Sequence, residues 1–310
     1  MKGKSSIEAQ VEKLFKHTRQ NSFGSRARYR GSARGFCKWV SQNFRLQNLR
    51  NLSDKHIVAY IQARQNEGIK PKTIKNDLAA IRFMHSQVQN PRYELSENKE
   101  LREKFGLQLD KTPQVKGNRA WTNQEYQDFQ QFCVQNGRQD IADIATLCRT
   151  MGLRITEATA VSRSQAEQAL RREIYQVKNE AKGGKWRQVP LSQEAREVFE
   201  RRIAETPRGG RLFIEKGEKT HQVRNKFEQF LNYHREKIET KEGRELRTWE
   251  KYGEIHQNEI TWHGLRYNYV QERMEQELSK GIDVFQAAEM ISREVGHNRT
   301  DVIDIYMGGN

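Results

Sequence analysis

The sequence predicts a mainly helical protein with one small β-sheet, divided into two domains. Three observations carry that prediction. Apolar residues recur at helical spacing through most of the 310 residues. In “REIYQVKNE” and “KWRQVPL” the period changes from helical to alternating, and the intervening “AKGG” is the turn of a hairpin. Between Asn90 and Asn118 a polar segment carries Pro91, Gly106, Pro113 and Gly117, which places a linker at 109–118. The domains are then 1–108 and 119–310, each long enough to bury its own core.

The elements follow in order. “SSIEAQVEKLFKHTRQ” sets Ile7, Val11, Leu14 and Phe15 on one face. “GSARGFCKWVSQNF” groups Phe36, Trp39, Val40 and Phe44. “SDKHIVAYIQARQNEG” opens at Ser53, a good N-cap, and stops at Gly68. “KPKTIKNDLAAIRFMHSQV” carries Ile74, Leu78, Ile81 and Val88. These make a bundle of four short helices. Arg26, Arg28, Arg30 and Arg34 are expected between the first two helices, in a Gly/Ser-containing stretch. In the second domain, Thr122 and Glu125 form a capping-box signature at the head of “WTNQEYQDFQQFCVQNG”. “DIADIATLCRTMG” is a helix ending at Gly152, and “LRITEATAVS” is a short one. After the hairpin, “SQEAREVFERRIAE” resumes a helix and “GRLFIE” is expected as one more short strand. Helices dominate to the end. The segment Tyr233–Glu259 is dense in both charges and is read as an exposed insertion, a helical hairpin.

Charge bounds the partner. Lys and Arg number 55 against 40 Asp and Glu, a net of +15. Residues 1–50 hold twelve of those bases and only two acids. Such an excess calls for a polyanion, with nucleic acid ahead of an acidic membrane surface. Arg26, Arg28, Arg30, Arg34, Lys72, Lys75 and Lys185 are the candidates for phosphate-backbone contact, where each neutralised phosphate releases counterion. Apolar residues interrupt the basic segment at helical spacing, against a merely disordered arm. No apolar run approaches a membrane span and no signal peptide is evident. Cys37, Cys133 and Cys148 are odd in number and form no C-x-x-C pair, so neither a disulfide framework nor a zinc site is suggested.

Five segments then stand out: “GLRITE” with Arg154, “AKGGKWRQVPL” with Lys182 and Lys185, “HGLR” with His263 and Arg266, “GH” with His297, and “YM” with Tyr306. Each alone has a plain explanation: a capping arginine, a soluble turn, two residues on one helix face, a packing tyrosine. Together they are a phosphate site. Two arginines offer planar forks for phosphate oxygens. Histidines and a lysine move protons or donate hydrogen bonds. A tyrosine attacks phosphorus and holds it covalently. This chemistry calls for neither a metal nor a cofactor.

The ordered set resembles that of the tyrosine recombinases, also called phage integrases, over nearly the whole chain. “TMGLRITEATAVS” resembles their first arginine box, “KGGKWRQVPL” their hairpin lysine segment, “HGLR” their H-x-x-R box and “VGHNRTDVIDIYM” their closing box. The resemblance implies an N-terminal helical core-binding (SAM-like) domain and an α+β catalytic domain. It implies a catalytic set of Arg154, Lys182, His263, Arg266, His297 and Tyr306, with Lys182 preferred to Lys185 by motif position. It also implies double-stranded DNA with a specific recombination site, a tetramer on synapsed DNA from a protein that is monomeric when free, room for accessory DNA-bending proteins, and a cytoplasmic, nucleoid-associated location in a prokaryote or its phage or plasmid. A type IB topoisomerase-like activity and a non-catalytic DNA-binding regulator are the alternatives. Glu157, one turn after Arg154, is expected to orient that arginine or cap its helix. Only four residues follow Tyr306. Protomer contacts are therefore expected from the N-terminal bundle or the 233–259 insertion, and Tyr306 is expected to be mobile or displaced from Arg154 and Arg266 without DNA.

Overall fold

The computed structural model describes residues 6–308 apart from 18–22, 110–116, 179–180, 182–183, 185, 252 and 298. The chain divides into two compact units, 1–113 and 114–310. Most of the expected linker lies outside the described residues.

The first unit is a helical bundle. It comprises α1 (Ser6–His17), α2 (Phe23–Phe44), α3 (Asp54–Asn66), α4 (Pro71–Ser86) and α5 (Asn98–Phe105). Ile7, Val11, Phe36, Val40, Ile57, Ile61, Leu78 and Ile81 fill its core. Ser53 caps α3 as its position suggests, and Pro71 opens α4, where a missing N–H leaves no helical bond unmade.

The stretch holding Arg26, Arg28, Arg30 and Arg34, expected as a connection, is part of the 22-residue α2. Gly31 and Gly35 each weaken an isolated helix by roughly 1 kcal/mol, so local propensity argues for a break. Burial of Ala33, Phe36, Cys37 and Val40 against α1 and α4 outweighs it. Arg26, Arg30 and Arg34 then fall one turn apart, and the latter two both pair with Glu12 of α1. Helix α5 also arises inside the segment read as merely polar. Glu97 and Glu100 cap it reciprocally, Leu101 is buried, and Gly106 closes it at φ 62°.

The second unit contains α6 (Asn123–Gln135), α7 (Gln139–Thr150), α8 (Ile155–Thr159), α9 (Arg163–Arg172), β1 (Ile174–Val177), β2 (Arg187–Pro190) and α10 (Gln193–Glu205). It continues through α11 (Thr220–Ile238), α12 (Lys241–Leu246), β3 (Thr248–Lys251), β4 (Glu254–Gln257), α13 (Trp262–Ser279), α14 (Val284–Glu294) and α15 (Asp301–Tyr306). Phe129, Ile144, Leu147, Phe199, Phe227 and Leu265 lie in its core. The expected hairpin is present as antiparallel β1–β2, with Tyr175 opposite Val189 and Val177 opposite Arg187. “GRLFIE” forms no ladder; Arg211 makes isolated bridges to Ser162 and Ile214 as the chain turns. Among the described residues no helix is long and apolar enough to cross a membrane.

The 233–259 segment departs furthest from expectation. It holds the end of α11, then α12, then the antiparallel β3–β4 hairpin, in place of a helical hairpin. Nor is it wholly exposed. Arg247 has no exposed surface and donates to both oxygens of the equally buried Glu125, at 2.7 and 2.8 Å, and to Glu239 at 2.9 Å. Gly243 admits this approach, since a Cβ there would fall 1.9 Å from a Glu125 oxygen. Charge density reads as solvent-facing because partners 122 residues apart are invisible locally. Arg247→Ala strands the Glu125 charge and is expected to cost about 3–5 kcal/mol, measured as a shift in urea unfolding. A loss under about 1 kcal/mol, the range of exposed pairs, would mean that this pair does not anchor the segment.

Candidate active site

The site is assembled around the turn between α7 and α8. The chain reverses at Gly152, whose φ of +57° suits glycine. A Cβ there would also fall 2.4 Å from the Tyr269 ring. The reversal sets Arg154 at the head of α8. Its backbone N–H donates to Glu157 at 2.8 Å and its guanidinium to the same carboxylate at 2.9 Å. Glu157 thus both caps the helix and orients the arginine.

Arg187, from the start of β2, donates to both Glu157 oxygens at 2.9 and 2.6 Å and to the Glu294 carbonyl at 2.7 Å. Burial of Glu157 would by itself raise its pKa. The Arg187 hydrogen bonds and charge, then the charges of Arg154 and Arg266, hold it at about 2 instead. One ionised carboxylate therefore fixes two arginines.

Helix α13 brings His263 and Arg266. Gly264 lets the helix lie against the segment that leads into α6, since a Cβ there would meet the Arg119 carbonyl oxygen at 2.2 Å. Arg266 has no exposed surface. Its guanidinium donates to the Gly152 carbonyl, to the Val295 carbonyl, and to the Tyr306 hydroxyl at 3.1 Å. Burial, then the charges of Arg154 and Arg187, pull its pKa down to about 10, against the opposing pull of Tyr306 and Glu157. It remains a cation at neutral pH.

His263 presents an edge to solvent, yet protein packs densely round the rest of its ring. That lost solvation, followed by the charges of Arg266, Arg119, Arg154 and His297, lowers its pKa to about 3. The imidazole is therefore neutral. A histidine of lowered pKa binds fewer protons folded than unfolded, so its contribution to stability falls away as pH drops below its usual 6.5. Glu157 adds to the same trend from its usual 4.5 down to about 2. In NMR of the free protein the His263 ring signals are expected not to move between about pH 8 and 5; a midpoint near the unperturbed value of about 6.5 would contradict the geometry.

His297 lies in the connection from α14 to α15. The buried Ser292 hydroxyl shares its one hydrogen between the Arg299 and His297 carbonyls, at 2.8 and 3.1 Å, and the His297 N–H donates to the Ser292 carbonyl at 2.8 Å. This knot points the imidazole at Tyr306, with ring centroids 6.2 Å apart. Tyr306 closes α15. Its ring lies 4.8 Å from that of Tyr267 and 5.9 Å from that of His263. It is 4 % exposed. Where the sequence suggests a tyrosine displaced from Arg266, the structure has Tyr306 docked on it. Buried Val302 and Ile303 seat α15 on α13 and α14.

Residues 5–90 match the family model for the phage integrase N-terminal domain. Over the whole chain the fold is similar to the Tn1549 transposon integrase, solved with transposon right end DNA, at TM-score 0.57 and 13% identity, covering 97% of this chain and 94% of that one. It is similar to the XerH site-specific recombinase bound to palindromic difH substrate, at TM-score 0.57 and 15% identity, covering 96% and 80%. A lambda integrase dimer bound to a COC′ core site matches at TM-score 0.56 and 13% identity, covering 98% and 77%. The chain has the fold of the tyrosine recombinases. No curated protein matches it in sequence.

Within this tyrosine-recombinase fold, Arg154, His263, Arg266, His297 and Tyr306 come together from four separate segments. Lys182 and Lys185 lie outside the described residues. Arg26, Arg28, Arg30, Arg34, Lys72 and Lys75 belong to the first unit. Sequence reasoning missed Arg187. A signal for it existed: alternation in β2 puts Arg187 on the buried face with Val189, and an inward arginine demands an acidic partner. It also missed Arg119, whose charge bears on His263 and Tyr267 and whose Nε is buried without a partner among the described residues. No local pattern announces that residue.

Proposed function

We propose that the protein is a site-specific DNA recombinase, serving integration, excision or inversion, that cuts and rejoins duplex DNA through a 3′-phosphotyrosyl intermediate. The observation that carries this reading is a tyrosine hydroxyl held by a buried arginine at 3.1 Å, among two histidines and further arginines. Around that hydroxyl the charge is cationic, with Glu157 as the buried counterion.

The Tyr306 oxygen attacks the scissile phosphorus and its proton passes to His263. The bond from phosphorus to the 5′ oxygen breaks, and Lys182 gives that oxygen a proton. Arg154, Arg266 and His297 stabilise the negative charge that builds on the phosphate oxygens, at about 3 kcal/mol per donor. An incoming phosphodiester offsets the cations that depress His263, so the ring gains basicity as the substrate arrives. In the second half, a 5′-hydroxyl from the partner duplex attacks the phosphotyrosine and the protons return. One phosphodiester is exchanged for another.

The DNA partner is supported by the basic N-terminal segment and by similar folds solved on DNA. A tetramer on two synapsed duplexes, with accessory DNA-bending proteins, in the cytoplasm at the nucleoid, completes the proposal. The match of residues 5–90 to a phage integrase domain favours recombination over topoisomerase-like relaxation. Sites selected from random duplexes, rebuilt with a nick that traps cleavage, provide the test on a denaturing gel. A covalent adduct followed by strand exchange between two labelled duplexes is expected. Binding without any adduct would leave a regulator; an adduct with relaxation but no exchange would leave a topoisomerase.

A further inference from the structure

His263, Tyr267 and Gln271 recur every four residues along α13 and share one stripe. Tyr306 lies along that stripe. Its ring meets those of Tyr267 and His263, and its backbone carbonyl accepts the Gln271 side-chain amide at 2.7 Å. That carbonyl belongs to the last turn of α15, where the helix itself offers no donor. The Gln271 amide nitrogen carries two hydrogens, and the second goes to Asn118 Oδ1 at 3.0 Å. Asn118 is itself fixed. Its Oδ1 also accepts the Ala120 N–H at 2.9 Å, its carbonyl accepts the Asn258 side-chain amide at 3.0 Å, and its backbone borders Gly308.

We infer that Gln271, with Asn118 behind it, is a positioning residue that clamps the backbone of Tyr306 in the site; the inference rests on Tyr306 being the nucleophile. The clamp grips the main chain, at the Tyr306 carbonyl, and makes no hydrogen bond to the phenol. With its backbone fixed, the phenolic oxygen is confined beside Arg266. Confinement of this kind acts on the rate of attack and not on DNA affinity, because the clamp atoms face Tyr306 and Asn118. It also explains how a tyrosine followed by Met307 and Gly308 stays docked.

The test compares Gln271→Ala, Asn118→Ala and Asn118→Asp with the wild type. Aspartate keeps the acceptor oxygen, so Asn118→Asp preserves the clamp. On saturating trapped duplex, Gln271→Ala is expected to form adduct about 10- to 100-fold more slowly, with DNA affinity unchanged. Asn118→Ala falls part of the way, and Asn118→Asp stays close to wild type. Hydrogen exchange reads the clamp independently of cleavage. The amides of Met307 and Gly308, bonded to the Ile303 and Ile305 carbonyls, exchange faster in both alanine variants and not in Asn118→Asp. Should Gln271→Ala fail to fold, Gln271→Glu keeps the shape, removes the donors and must show the same losses. A wild type that forms no adduct sinks the reading of Tyr306 while the exchange data still judge the clamp. Unchanged exchange in Gln271→Ala, or adduct formation at or above the wild-type rate, overturns the inference.

Discussion

Tyr306→Phe is expected to abolish the covalent protein–DNA adduct entirely. Phenylalanine keeps the ring contacts with Tyr267, His263 and His297 and removes only the attacking oxygen. The fold survives, because the cost is one buried hydrogen bond to the charged Arg266 Nε, about 1.5–3 kcal/mol. DNA affinity is expected to survive as well, because Arg154 and Arg266 are untouched. The measurement is a denaturing gel of trapped duplex beside a binding titration under identical salt, since backbone contacts are salt-dependent. An adduct that persists in Tyr306→Phe would assign the nucleophile to another residue.

Arg266→Lys is expected to slow adduct formation by about 100- to 1000-fold at saturating DNA, the loss typical of removing one preorganised donor to a developing oxyanion. Charge alone cannot substitute here. The guanidinium donates in three directions at once, to the Gly152 and Val295 carbonyls and to the Tyr306 hydroxyl. A lysine ammonium on a flexible stem cannot hold that fork. Two carbonyls that the fork ties together would also lose their donors, so the unfolding midpoint should fall together with the rate. Arg154→Lys, at a partly exposed position with Glu157 as its partner, separates the two effects: its rate should fall with a smaller change in stability. Single-turnover cleavage and thermal unfolding measured on both variants decide this. Equal rates for Arg266→Lys and wild type would remove Arg266 from the chemistry.

Much of the site was legible because its chemistry sits in short motifs. Arg154 stands two residues past a glycine that must reverse the chain, and His263 and Arg266 share one helix with a glycine that must be bare. The β1–β2 ladder was legible because alternation is local. Other parts were not. Helix α2 runs through Gly31 and Gly35 because its apolar face is buried, a tertiary fact that overrules propensity. The 233–259 segment reads as solvated because its charges are many, yet Arg247 is fully buried against Glu125. Arg187 was within reach of its strand pattern; Arg119 and Asn118 were not, since their roles depend on what α13 brings to them.

The sequence by itself determined the helical class, the hairpin, the excess of positive charge and the identity of five polar residues that meet in one place. Periodicity encodes the first two through backbone geometry, composition gives the third, and the fourth rests on short motifs resembling those of the tyrosine recombinases. Only the tertiary structure decided where Tyr306 rests. The surfaces of α13 and α14 that seat α15, the Arg266 fork and the Gln271 amide come from other segments of the chain. Burial and hydrogen bonding between such segments hold the tyrosine in the site, and no local pattern reports them.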